Sequence, residues 1–358
     1  MKIWVSAGEL SGDIRASEVI DSIQQLTPVS LKGIGGQNLL NLGLKPLETI
    51  DNLGHVGFVE ILKHIPFYLK LLKRSKKDIL SWQPDVVLLV DYPGFNVRLL
   101  KSVGKYVPVA YYIIPQVWAW LPQRAKSLRL AKAVFTILPF EKDFLTKYGI
   151  HSHYVGHPLA FKIKQYVPKK LPWENYIALL PGSRTFEIKN ILPIMLQVAK
   201  NLPGETFVIA GISKQKSIIE AILTQQSPPN VNLVYDRTYD VLAHAQYAIV
   251  TSGTASLETA LFKVPQIVLY KGNWLSYYLA RMLVTVNFIS LPNLIVNEPL
   301  VPELIQQDCS ARNIMKHLEL IASHRKQIID GYNAIERILF TETPPPQKVA
   351  QILVDLFV

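Results

Sequence analysis

The amino-acid sequence predicts an α/β protein of two successive, doubly wound, Rossmann-like domains. Short apolar, β-branched runs alternate with helix-like segments, which is the pattern of a parallel sheet with right-handed crossovers. The runs are apolar on both sides, so both faces of each sheet must be covered. The alternation stops at a Lys- and Pro-rich stretch, Lys162–Trp173, and then restarts. At 358 residues the chain is also too long for one ordinary core.

The elements follow in order. Lys2–Ala7 reads as a strand, and Gly8–Asp13 turns into a helix that runs to about Leu26. Val29–Gly33, Asp85–Val90, Val107–Ile113 and Ala133–Leu138 are further strands. Beyond the expected linker, Ile177–Leu180 is a strand followed by Pro181–Arg184 and a helix. Thr206–Ala210, Val231–Val234, Tyr247–Val250 and Gln266–Leu269 continue the alternation. Pro344–Pro346 interrupts the end, and Lys348–Phe357 reads as a last amphipathic helix. The first domain is therefore expected over residues 1–165 and the second over 170–338.

Composition narrows the class. Hydrophobic residues are 49% and charged residues 18%, so the chain folds. Mean hydropathy is +0.19, and 38 basic against 27 acidic residues give a net charge of +11. Such a surface attracts nucleic acid, anionic lipid or phosphorylated substrates, and charge alone does not choose among them. Nucleic-acid binding has no motif behind it. The single cysteine, Cys309, can form neither an internal disulfide nor a cysteine zinc site, which fits a reducing compartment. Ile3–Ala7 is too short for a signal-peptide core. The longest uncharged stretch, Tyr106–Gln123 apart from its flanking charges, is broken by Pro108, Pro115 and Pro122 and does not read as a membrane span. A cytoplasmic protein with at most peripheral membrane contact is expected.

Open parallel sheets bind ligands beyond the carboxyl ends of their strands. Four strand-end loops carry unusual residues. Gly8–Asp13 permits close backbone approach, and Ser11 or Asp13 could cap the helix; it is not a dinucleotide fingerprint. Asp91, in Asp91–Asn96, ends a buried run and could be a general base; the plainer reading is a cap for the next turn. Gly182, Ser183 and Arg184 open a helix where amides and a guanidinium could hold a diphosphate. Ser252, Gly253 and Thr254 open another, and Glu258 lies one turn beyond Thr254, where a carboxylate could hold ribose hydroxyls. Simple helix capping is the alternative for both. The eight His show no metal-ligand spacing, and no acidic loop or D-x-D clamp suggests a metal site.

Phe58–Leu80 reads as a basic amphipathic stretch. Phe58, Ile61, Leu62, Ile65, Leu69 and Leu72 follow helical spacing, with Lys63, Lys70, Arg74 and Lys77 opposite and a reset expected at Pro66. It could lie in an anionic membrane surface or simply bury its apolar face in the domain.

With these pieces in order, the sequence resembles the lipid-A-disaccharide synthase family. The matching stretches are Gly8–Asp13, Val56–Glu60, Asp91–Asn96, Pro115–Trp120, Leu138–Glu141 and Val155–Pro158, continued by Leu179–Arg184, Ser252–Glu258, Ser290–Leu294 and Val301–Leu304. They span about residues 1–310 in family order, and the Trp-Ala-Trp and Ser-Leu-Pro-Asn-Leu stretches are the most specific. Departures are Phe161, where members often carry an acidic residue, and Val296-Asn297-Glu298 in place of Ala-Gly-Arg.

The resemblance implies a GT-B fold, two Rossmann-like domains facing a cleft, with the C-terminal helix (340–358) returning to the first domain. It implies an inverting transfer of 2,3-diacylglucosamine from its UDP form to 2,3-diacylglucosamine 1-phosphate, giving a β-1,6 disaccharide and UDP, with no cofactor. The donor site belongs to the second domain and the acceptor and membrane face to the first. Asp91 is then the base, with Glu9 and Asp13 as neighbours that could replace it and His157 a weaker rival. Ser11 and Asn293, within matching stretches, are expected at the substrates. The family also implies a peripheral place on the inner face of the inner membrane and a homodimer with exchanged C-terminal helices. The alternatives are another GT-B UDP-sugar enzyme, acting on a different lipid or epimerising the sugar, and a non-catalytic nucleotide-binding protein of the membrane surface.

Overall fold

The computed structural model describes residues 1–53, 61–119, 122–272 and 286–358, with side chains of the helix Ile61–Trp82 described from Ile65 onward. The motif Val56–Glu60, including Phe58, and Trp120 lie outside the described residues. The chain forms two compact units, Met1–Pro158 with Thr341–Val358, and Leu159–Phe340.

The first unit holds a parallel sheet of seven strands: β1 Lys2–Ala7, β2 Ser30–Gly35, β3 Lys45–Thr49, β4 Val86–Val90, β5 Val109–Tyr112, β6 Ala133–Thr136 and β7 His153–Tyr154. Their order is β3-β2-β1-β4-β5-β6-β7. Strand order reverses between β1 and β4, and Ala7 pairs with Val90 there. Val86, Leu88 and Val90 pack into one core layer, and Val87 and Leu89 into the opposite one. That is why the run is apolar at every position.

On one face lie the helices Leu10–Gln24 and Pro345–Phe357. Val349, Ala350 and Leu353 join Ala16, Val19, Ile20 and Ile23 in one cluster, so the C-terminal helix covers the first unit of its own chain. On the other face lie Ile61–Trp82 and Pro93–Val103.

The helix Ile61–Trp82 runs through Pro66 without the expected reset. Proline costs one backbone hydrogen bond. Next to it, Phe67 and Tyr68 pack on the core and the Tyr68 hydroxyl donates to the Leu53 carbonyl at 3.4 Å. Its buried face is also not the expected apolar stripe. Leu71, Ser75 and Ile79 are buried, whereas Ile65 and Leu69 are 43% and 51% exposed.

The second unit holds β8 Tyr176–Leu180, β9 Thr206–Gly211, β10 Val231–Tyr235, β11 Ala245–Thr251, β12 Gln266–Tyr270 and β13 Glu303–Ile305, all parallel. The order is β10-β9-β8-β11-β12-β13, which reverses between β8 and β11. The stretch expected as a linker belongs to this unit. Helix Pro158–Lys164 begins it, Phe161 stacks on Phe340 at 4.3 Å, and Leu171 is 3% exposed in the core. Aromatic and leucine anchors hold this segment despite its lysines and prolines. Asn297 takes the left-handed conformation (φ +56°) that ends the helix Leu291–Val296, a position Asn tolerates better than most residues.

Candidate active site

Each sheet presents its candidate residues where its strand order reverses. In the first unit the loop after β1 carries Glu9, with Ser11 in the first turn of the helix that follows, and the loop after β4 carries Asp91. In the second unit the loop after β8 carries Gly182–Arg184, and the loop after β11 carries Ser252 and Gly253 and leads into the helix Thr254–Leu261, which carries Glu258. Crevices form at such reversals because the flanking crossovers leave in opposite directions.

Asp91 and Tyr92 both adopt left-handed backbone, at φ +47° and +49°. Two successive non-glycine residues in that region store strain, which persists only if the surroundings enforce it. Here they do. The Asp91 carbonyl accepts from Asn96 Nδ2 at 2.8 Å and from the Tyr111 hydroxyl at 2.9 Å. Asn96 is itself buried and also donates to the carbonyls of Ser6 and Val90, while accepting from the Ser6 hydroxyl at 2.6 Å. The ends of β1 and β4 are thus stitched together beneath the carboxylate. Burial, then the neighbouring Glu9 charge, raises the Asp91 pKa from 3.8 to about 6. A carboxylate near that value can accept a proton at neutral pH.

The neighbours divide into accessible and committed groups. Glu9 and Ser11 are exposed. Asp13 is fully buried and accepts from the Gly36 amide at 2.6 Å and from the Asn38 amide and side chain at 3.0 and 2.8 Å. It caps the helix Gln37–Asn41 and is not available as a base. His157 is buried, and burial followed by Arg15 depresses its pKa to about 3, so it is neutral. Glu141, in Leu138–Glu141, is buried with its pKa pushed up to about 7 and accepts from Trp118 Nε1 at 3.0 Å and from the Ile137 and Leu138 amides.

In the second unit Gly182 sits at φ +105°, and the Arg184 side chain is 83% exposed. The amides of Ser183 and Arg184 are already used: both donate to Glu187 Oε2, at 3.0 and 3.1 Å. A Glu three residues into a helix is the sequence mark of such a cap. The Arg184 guanidinium also meets Glu187, Nη1 to Oε1 at 3.4 Å, while most of its side chain faces solvent.

The helix Thr254–Leu261 is built differently. Gly253 at its start has φ +146°, offers no capping side chain, and a Cβ there would meet nothing within 4 Å. First-turn amides of a helix have no intrahelical acceptor. Ser252 donates its hydroxyl to the Ile289 carbonyl at 2.9 Å, which fixes the loop. Glu258 is half-buried and accepts from the Tyr239 hydroxyl at 3.0 Å. Asn293 is 1% exposed and spends its amide on Val301, by two bonds of 2.9 Å, and on Glu303. Its placement is that of a scaffold beneath the Ser290–Leu294 stretch.

On the helix expected to meet lipid, Ile65, Leu69, Lys70, Lys73 and Lys77 are exposed, Leu72 is half-buried in the core, and Arg74 is tied to the Leu47 carbonyl and Glu48. For Ile61 and Leu62 only the backbone is described. No described helix is long and apolar enough to cross a membrane. Among the described residues no three His, Cys, Asp or Glu converge as metal ligands.

The chain is similar to known proteins along nearly its whole length. The profile of the family described as Lipid-A-disaccharide synthetase matches residues 3–343. The Lipid-A-disaccharide synthase of Anaeromyxobacter dehalogenans is 36% identical over 90% of this chain and 88% of its own. That of Idiomarina loihiensis is 34% identical over 98% and 97%. Among solved structures, the UDP-GlcNAc 2-epimerase of Neisseria meningitidis superposes with a TM-score of 0.65 at 16% identity, covering 99% of both chains. The glycotransferase of kitacinnamycin gives 0.68 at 13% identity, covering 100% and 98%. These two likenesses concern the fold alone, which is that of the GT-B class. With the family profile and both relatives spanning both units, the chain belongs to the lipid-A-disaccharide synthase family of glycosyltransferases.

Proposed function

We propose that this chain transfers 2,3-diacylglucosamine from its UDP form to 2,3-diacylglucosamine 1-phosphate, with inversion, to give the β-1,6 disaccharide 1-phosphate and UDP. The acceptor hydroxyl oxygen forms a bond to the anomeric carbon, the bond from that carbon to the diphosphate oxygen breaks, and the hydroxyl proton passes to Asp91. The observation that carries this reading is Asp91 itself: a carboxylate raised to about 6 on an enforced, strained turn at the reversal of strand order. A sugar hydroxyl is a very weak acid, so its attack needs such a base.

The donor is assigned to the second unit. The Gly253–Ala255 helix start and the Arg184 guanidinium would meet the charge growing on the leaving diphosphate. Glu258 would hold the ribose. Gly182 and Ser183 shape the Arg184 turn, and Ser252 fixes the second loop through Ile289.

The first unit is assigned to an anionic membrane surface, on the inner face of the inner membrane. Exposed Ile65 and Leu69 sit beside exposed Lys70, Lys73 and Lys77 on one helix. Between Asp91 and Glu141 there is no acidic residue but seven basic ones, Arg98, Lys101, Lys105, Arg124, Lys126, Arg129 and Lys132. Each well-placed cation would contribute about 1 kcal/mol on such a surface.

The test is UDP release from diacylated and non-acylated UDP-glucosamine donors, with diacylglucosamine 1-phosphate as acceptor. Release that requires both diacylated sugars, with a disaccharide product, supports the reading. Equal release without acyl chains or without the acceptor overturns it.

A further inference from the structure

The geometry points to Tyr239 as a positioning residue for nucleotide recognition: its hydroxyl fixes the Glu258 carboxylate in the orientation that receives the ribose hydroxyls of the donor. This rests on the reading of Glu258 as the ribose carboxylate. Tyr239 belongs to the helix Thr238–His244 that follows β10, and Glu258 to the helix that follows β11. The phenol donates to Glu258 Oε1 at 3.0 Å. A carboxylate held by a fixed donor samples fewer rotamers, and a group already ordered costs less affinity to order on binding. A carboxylate has about four acceptor positions, so a bond from tyrosine is compatible with its also accepting from ribose hydroxyls.

The donor ring is itself held. Tyr166 meets it edge-on at 5.1 Å and 89°, and Phe262 packs at 5.3 Å. Lys162 Nζ lies 5.3 Å from its centroid, within cation–π range. Tyr166 is anchored in turn through its hydroxyl to buried Asp240, at 2.8 Å. A tyrosine packed this closely has little freedom, so its hydroxyl is a fixed point against which Glu258 is set.

The experiment is calorimetric binding of UDP and of 2′-deoxy-UDP to the full-length chain and three variants: Tyr239→Phe, Glu258→Gln and both together. Phe keeps the ring packing and removes only the hydroxyl. We expect Tyr239→Phe to weaken UDP by about tenfold, the scale of one hydrogen bond to a charged group. It should weaken 2′-deoxy-UDP much less, leave the melting temperature unchanged, and add nothing once Glu258 is Gln. If Glu258→Gln weakens UDP but Tyr239→Phe does not, the inference fails and the ribose reading stands. If neither variant changes UDP affinity, the ribose reading fails and the inference with it. Equal losses for UDP and 2′-deoxy-UDP in Tyr239→Phe would also overturn the inference, because the hydroxyl would then act elsewhere than at the ribose.

Discussion

The Tyr92 ring lies directly over Gly8: a Cβ added at Gly8 would sit 2.3 Å from it. The loops after β1 and β4 therefore interlock, and the contact requires the absence of a side chain rather than a special backbone angle. The same pair of loops carries Glu9 and Asp91, so their mutual setting depends on this fit. Gly8→Ala should displace Tyr92, destabilise the first unit by about 1–3 kcal/mol as overpacking does, and lower turnover at least tenfold. Parallel melting and kinetic measurements check this, and parent-like values in both would mean the interlock is unimportant.

Asp91→Asn should lower turnover by about 10²–10⁴, the usual contribution of a general base, while UDP binding is retained. The stability effect has the opposite sign. The folded protein holds the Asp91 proton more tightly than the unfolded chain, with a pKa of about 6 against 3.8. This group's favourable contribution is thus present at low pH and lost as pH rises through about 6. Asp91→Asn should melt higher than the parent at pH 8, with the difference shrinking toward pH 4. Turnover within a few-fold of the parent would make Asp91 only a cap, and Glu9 the next candidate.

Glu9 is the second cause of the raised Asp91 pKa, after burial. Glu9→Gln removes that charge, so the acidic limb of kcat/KM should shift from near pH 6 to lower pH, with a smaller loss of turnover than in Asp91→Asn. A pH profile that does not move would show that Glu9 does not act on Asp91.

Arg184→Ala should weaken UDP binding about tenfold and slow turnover, since the amides of its loop are already committed to Glu187. Glu187→Ala should act mainly on stability, by about 1 kcal/mol, as loss of a helix cap does. Calorimetry with UDP separates the two. Undiminished affinity in both Arg184→Ala and Glu258→Ala would remove the donor from these loops.

Replacing Lys70, Lys73 and Lys77 by Glu should abolish sedimentation with anionic vesicles at moderate salt and leave UDP binding intact. Leu69→Ser should weaken it further through the lost apolar insertion. Unaltered vesicle binding in the triple variant would make Ile61–Trp82 a surface helix only.

The sequence by itself determined the alternation of strands and helices, the two sheets, and the four strand ends that carry Glu9, Asp91, Arg184 and, one helical turn on, Glu258. These are local signals: apolar runs buried on both faces, and glycines and polar residues at strand ends. The sequence did not show β3, β7 or β13, which are short outer strands with mixed, half-buried patterns. Strand order, and hence the placing of the four loops at two reversals, arises from pairings of residues tens of positions apart. The same is true of Asp13, whose partners Gly36 and Asn38 lie 23 and 25 residues away. Tyr239 gave no signal, because its meaning depends on a bond to Glu258 on another crossover. Periodicity marked the helix Ile61–Trp82 as amphipathic but not which apolar residues face the core. Packing against the sheet took Leu71 and Ile79 inward and left Ile65 and Leu69 exposed. Local chemistry writes the elements and their loops, while long-range pairing decides which polar groups are spent on the scaffold and which remain for a substrate.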